Sequence, residues 1–209
     1  MTSFNLKPLV KVVALVLTMI TASTGLFATK VNPSVVLKKG IEKSFALYMN
    51  YHTAKNFEVT LKDNSAKVLF NENVKEGKEF AKLFDLSKLP VGIYTLTIED
   101  AQSIYNQVIE VGQHTLTIDE NKESQIFKPV VYQKDEKIFV SALLLGADDG
   151  EVVIFDNNGE IVYREEMGNK DKIEKVFSFA GQNPEDYSMA IRYKDQSFYF
   201  NSLQSIQTK

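Results

Sequence analysis

Cysteine is absent from the 209 residues, so the chain has no disulfide, no thiolate metal centre, no cysteine nucleophile and no site for a lipid-modified cysteine. The fold has to be fastened by apolar packing. Histidine is nearly absent too. His52 and His114 lie in different stretches, each beside a hydroxyl residue (Thr53, Thr115), and neither has a second His or Cys at metal-ligand spacing. Both are expected to be surface side chains, and no metal residue is assigned. There is no excess of basic charge: 24 Lys and Arg stand against 27 Asp and Glu, for a net charge of −3 and a pI near 5.5. Nucleic acid and acidic lipid surfaces are therefore not expected partners, since both are bound through many cationic contacts. Neither a G-x-S-x-G elbow nor a phosphate-cradling glycine loop occurs. No catalytic or cofactor-binding residue is assigned, and no cofactor is expected.

What is present begins at the N-terminus. Lys7 and Lys11 precede an apolar run over 12–20, followed by the small and polar stretch TASTG at 21–25. That order is the layout of a secretory signal peptide, expected over 1–28 with a cut after Ala28, or alternatively within 22–24. An uncleaved anchor is the competing reading, since 12–29 carries no charge, but the hydrophobicity thins after Ile20. No later segment is apolar for long enough to span a bilayer as a helix.

Beyond Lys30 the pattern is apolar and polar residues in alternation, broken by Asp, Asn, Gly, Lys and Pro. This is the signature of antiparallel strands with one buried face. Strands are expected over 44–51, 57–61, 67–70, 79–86, 93–98 and 103–111, with a second set starting near Ile126.

Sliding the chain on itself by 93 positions reveals a repeat without gaps. Val59 falls on Val152, Asp63-Asn64 on Asp156-Asn157, Glu72 on Glu165, Lys82 on Lys175, Phe84 on Phe177, Tyr94 on Tyr187 and Ile98 on Ile191. Past Ile98 a one-residue insertion brings QSIY at 102–105 over QSFY at 196–199. The expected fold class is all-β: two tandem immunoglobulin-like sandwiches, 30–118 and 126–204, joined by the polar segment DENKESQ at 119–125 as a linker. One continuous sandwich built from both halves is the other arrangement this length allows.

The stretch FDLSKLPVGIYTLTI (84–98) suggests a particular device. Pro90 fixes its own φ, Gly92 is free to take a positive φ, and Tyr94 becomes the first inward residue of a strand. Its hydroxyl is expected to return to a backbone group upstream, as in a tyrosine corner. Pro184 and Tyr187 keep the proline and the tyrosine in the second copy, with Glu185-Asp186 in place of the glycine step.

The same residues carry a family resemblance. Asp63-Asn64, the strand KVLF at 67–70, the corner DLSKLPVGIY at 85–94 and a closing strand through Val111 resemble the type A C-terminal sorting domain of type IX secretion cargo from Bacteroidota. The resemblance covers about 60 residues of the first copy. It implies a seven-stranded Ig-like sandwich and an exported protein of that phylum. The second copy departs from the motif, reading QNPEDY at 182–187. The chain is accordingly read as one of a wider group of exported Ig-like proteins, with a sorting module as the alternative.

Other candidate sites have plainer accounts. Asp148-Asp149-Gly150-Glu151 and Asp156-Asn157-Asn158-Gly159-Glu160 could bring hard oxygens near a calcium ion, but both read first as hairpin turns. Glu165 and Glu166 are adjacent on a strand and point to opposite faces, which argues against a paired-carboxylate hydrolase. Phe198 and Phe200 share one face of the last strand and Tyr199 takes the other, which reads first as a two-sided buried or edge strand, with an aromatic surface for a sugar or a partner as the alternative. The functional expectation is an exported, non-enzymatic protein of the periplasm, outer surface or exterior, contacting a protein, a glycan or an envelope component. A small secreted hydrolase is the rival from another class.

Overall fold

The computed structural model describes residues 34–50, 56–75, 80–134, 136–147, 149–168, 170–201 and 203. The expected signal peptide and His52 lie outside them. The elements in chain order are β1 (Ser34–Lys39), β2 (Ser44–Asn50), β3 (Asn56–Asp63), β4 (Val68–Lys75), β5 (Phe80–Asp85), β6 (Gly92–Glu99), β7 (Ser103–Val111) and β8 (Leu116–Phe127). They continue with β9 (Val130–Lys134), β10 (Lys137–Leu143), β11 (Glu151–Asp156), β12 (Ile161–Glu166), β13 (Lys172–Ser178), a 3-10 turn (Pro184–Asp186), β14 (Tyr187–Tyr193) and β15 (Gln196–Phe200). The chain divides into two compact units between Lys128 and Pro129.

In the first unit one sheet has the order β1-β2-β5 and the other β4-β3-β6-β7-β8, with every neighbouring pair antiparallel. Alternation does the sorting. Along β6, Tyr94, Leu96 and Ile98 are buried while Ile93, Thr95 and Thr97 are not. Phe45, Leu47 and Met49 of β2 meet Val59, Leu61, Leu96 and Ile109 of the facing sheet in one core. The rings of Phe45 and Phe84 stack at 4.8 Å, and Phe70 meets Phe84 edge-on at 5.1 Å. Each such fully buried side chain contributes roughly 1.5–3 kcal/mol relative to exposure. The second unit repeats the plan with sheets β13-β10-β9 and β12-β11-β14-β15 around Ile138, Val152, Ile154, Phe177, Met189 and Ile191. Both units are Ig-like sandwiches.

The 93-residue offset reaches down to individual bonds. Leu61 pairs with Leu96 and Ile154 with Met189; Asp63 pairs with Tyr94 and Asp156 with Tyr187. In the hairpin after β3, Asp63 Oδ1 accepts from the amides of Ser65 and Lys67, at 2.9 and 3.0 Å. Asp156 Oδ1 accepts from Asn158 and Glu160 in the same way, both at 2.9 Å. Lys82 reaches Glu72 at 2.6 Å, and Lys175 reaches Glu165 at 2.7 Å.

The expected linker is a strand. Residues 119–125 lie inside β8, so the second unit starts at Pro129 and not at Ile126. Residues 123–127 pair with 103–107, and 116–118 with 109–111, while 119–122 bulge out opposite Val108 alone. Buried polar groups hold the bulge. Gln107, 2% exposed, donates from Nε2 to the Asp119 carbonyl at 2.9 Å, and the Tyr105 hydroxyl donates to Glu123 at 2.9 Å. The polarity that suggested a linker belongs to an edge strand facing solvent. Lys128 completes the attachment, its amide donating to the Gln102 carbonyl at 2.7 Å and its ammonium pairing with Glu99 at 2.6 Å.

Candidate functional site

The corner of the first sandwich is built from a turn at the end of β5. Leu86 donates its amide to the Lys43 carbonyl at 2.9 Å, and Leu89 donates back to the Leu86 carbonyl at 3.0 Å. Asp85 caps the turn by accepting from the Ser87 amide at 2.9 Å, a bond that holds its carboxyl below the usual range. The chain then passes Pro90 and enters β6. Tyr94, 5% exposed, packs its ring in the core and donates its hydroxyl to the Pro90 carbonyl at 2.8 Å.

Gly92 does something other than expected. It is not among the described residues with positive φ; it is the first residue of β6 and pairs with Val111. Ladder pairing, not a left-handed turn, sets its conformation. An added Cβ would come no nearer than 3.9 Å to the Tyr94 ring, which is ordinary contact.

The second corner is assembled differently. Asn183 caps the 3-10 turn by accepting from the Glu185 amide at 3.2 Å, with Pro184 as the turn's first residue. Tyr187 donates its hydroxyl to the Gln182 side chain at 2.8 Å and leans on the Phe179 ring at 5.0 Å. The two tyrosines hold equivalent ladder positions, but one is tied to backbone and the other to a side chain.

The other candidate residues are dispersed. His114 is exposed in the turn between β7 and β8. Asp156 spends Oδ1 on its own hairpin, and Asp148 lies outside the described residues. Among the described residues no group of His, Cys, Asp and Glu is arranged to hold a metal ion. Glu165 bonds to Lys175 and to the Tyr163 hydroxyl. Burial works against its charge, yet those two bonds outweigh burial and hold the carboxyl below its ordinary value. Burial, reinforced by Glu165, pushes the Tyr163 hydroxyl up.

The structure also brings together a charged cluster that the sequence did not announce. Glu151 receives Arg192 at 2.6 Å and Arg164 at 3.0 Å. Glu151 is directly opposite Arg192 on β14 and Glu166 on β12, and Arg164 is opposite Val153. The diagonal neighbour thus neutralises a like-charged pair. Bonds from Glu151 and then Tyr199 hold Arg192 above its ordinary value. Glu151 and Arg192, with Asp149, Gly150, Glu166 and Gly168, line a depression of about 400 Å³. Nothing in the linear sequence links positions so far apart before the strand register is known.

Residues 42–112 match the family model of the secretion system C-terminal sorting domain. The matched stretch runs from just before β2 to just after β7 and includes the whole Pro90–Tyr94 corner, so the resemblance read from that motif is shown for the first sandwich. No curated protein matches the chain. Among solved structures, the chain is similar to a biofilm associated protein BSP domain at 10% identity and TM-score 0.24, covering 80% of this chain and 28% of that one. It is similar to the FN1-FN3 domains of chicken CNTN1 at 9% identity and TM-score 0.25, covering 79% and 65%. A third is native alpha-2-macroglobulin from Escherichia coli spanning domains NIE-MG1, at 10% identity and TM-score 0.23, covering 75% and 86%. No helix among the described residues is long and apolar enough to cross a membrane.

Proposed function

We propose that this is an exported protein that acts by surface contact and not by catalysis, its partner being a protein, a glycan or a component of the cell envelope. The match of 42–112 to a secretion sorting domain carries the export reading. What supports contact is the use made of the ionisable side chains: Glu72 with Lys82, Glu165 with Lys175 and Glu151 with two arginines all brace strands against each other. In a catalytic centre at least one such group is left free to act on a substrate, whereas each of these is spent on a partner.

The same match favours a second reading, in which the first sandwich is itself an address for the type IX system. Fractionation with N-terminal sequencing tests the first. The chain is expected outside the cytoplasm with its N-terminus processed; a cytoplasmic chain that keeps Met1 would overturn export. Reporters fused to 30–128 or to 129–209 behind an export leader separate the readings, in a type IX-competent host and in a strain lacking the translocon. The surface-contact reading expects neither reporter to be released in a translocon-dependent way. Translocon-dependent release of the 30–128 fusion would establish the sorting reading in its place.

A further inference from the structure

We propose that β15 is an assembly edge, at which two copies of this chain pair antiparallel through their Gln196–Phe200 strands. The edges of the sheets differ in a telling way. Each of the four sheets ends in two strands, and among the described residues every edge strand but β15 carries charge. On β1 these are Lys38 and Lys39; on β5, Lys82 and Asp85; on β4, Glu72 and Lys75; on β9, Lys134. β12, β13 and β8 are more heavily charged still, and β8 is also bulged. Charge, proline and bulges on an edge keep other strands from adding to it. The five residues Gln196-Ser197-Phe198-Tyr199-Phe200 have no charge, no proline and no register shift against β14.

The first sandwich shows what this position accepts. β7 is the counterpart of β15, and its far side is filled by β8, antiparallel and hydrogen-bonded. No strand among the described residues pairs with the far side of β15. A second copy fits the slot because the edge is complementary to itself. In an antiparallel pair centred on Phe198, Phe198 faces its own counterpart, Ser197 faces Tyr199 and Gln196 faces Phe200. Ser197 then offers a small neighbour to Tyr199, Phe198 meets its own like, and no like charges are opposed. Arg192 of β14, opposite Ser197, is already held by Glu151 and by the Tyr199 hydroxyl. Tyr199, 63% exposed, is the ring that pairing would cover. A two-fold pair uses up both edges, so assembly stops at two.

The test is sedimentation of the chain as its host processes it, from micromolar to submillimolar concentration. A monomer–dimer equilibrium is expected. Ser197→Lys and Tyr199→Glu, each with an unchanged circular dichroism spectrum, are expected to move dimerisation to at least about tenfold higher concentration. Mixing the two variants should restore the dimer, because position 197 of one copy lies opposite position 199 of the other. Should either variant alter the spectrum, Gln196→Lys replaces it, with Phe200→Glu as its mixing partner. A chain that stays monomeric throughout would overturn the proposal, as would a dimer indifferent to both substitutions or a mixture that does not recover. Capture of an unrelated extended peptide by a monomeric chain would likewise count against it.

Discussion

Ala66 and Gly159 occupy the same place in the two equivalent hairpins, and both have left-handed backbone, with φ of 61° and 79°. In each, the residue's amide donates at 3.0 Å to the carbonyl of the aspartate three positions earlier. An alanine there is strained where a glycine is not, because its Cβ crowds the neighbouring carbonyl. Ala66→Gly is expected to raise stability by about 1 kcal/mol, and Gly159→Ala to lower it by a similar amount. Urea unfolding midpoints of the two variants check both signs. A Cβ at Gly159 would have no neighbour within 4 Å, so the expected loss comes from the backbone alone.

Tyr94→Phe should cost about 1 kcal/mol, the usual net value of one hydrogen bond, since it removes the donor to the Pro90 carbonyl and leaves the ring packed. Tyr187→Phe should cost less, because Gln182 is only partly buried and its side chain can turn to water. Equal losses at the two positions, measured by denaturant titration, would remove the distinction between the corners.

The Glu165 carboxylate makes the second sandwich sensitive to acid. Its folded pKa lies below the unfolded value of about 4.5, so its contribution is complete above that value and disappears as pH falls through the folded pKa. Thermal unfolding followed from pH 7 downward should show a loss that Lys175→Met makes smaller. Tyr163 acts at the other end. With its folded pKa raised, its contribution is complete below about 10 and is lost as pH rises beyond that value.

Cutting the first sandwich at its apparent boundary should damage it. A fragment of 34–118 lacks the pairing of 123–127 with 103–107, the Tyr105–Glu123 bond and the Lys128–Glu99 pair, all of which a fragment of 34–128 keeps. The longer fragment is expected to unfold at a clearly higher urea concentration. Equal midpoints would show that β8 adds nothing. Within the intact chain, Gln107→Ala should cost about 1–3 kcal/mol and speed amide exchange over 117–122, since it leaves buried polar groups unmatched at the bulge.

Much of this architecture is legible in the residues themselves. Tyr94, Leu96 and Ile98 alternate with threonines and become the inner face of β6, and the offset that lays Asp63 over Asp156 recurs in their hairpin bonds. Where one face is buried, apolar alternation has to be written into the sequence. β8 escapes notice for the opposite reason: most of its side chains face water and the bulge breaks its period, so its composition resembles that of a linker. β1 is missed because Val35 and Leu37 are only partly buried and two lysines follow. At the candidate sites, Pro90 and Tyr94 are visible as a motif, whereas the convergence of Arg164 and Arg192 on Glu151 depends on register, which no local pattern encodes.

The Lys82–Glu72 and Lys175–Glu165 bridges each stand beside an edge-on aromatic pair, Phe70 with Phe84 and Tyr163 with Phe177. If the chain arose by doubling of a single gene segment, this group of four residues is older than the doubling. Both descendants kept it while their corners diverged, which places the aromatic pair and its ionic clasp in a solitary ancestral sandwich.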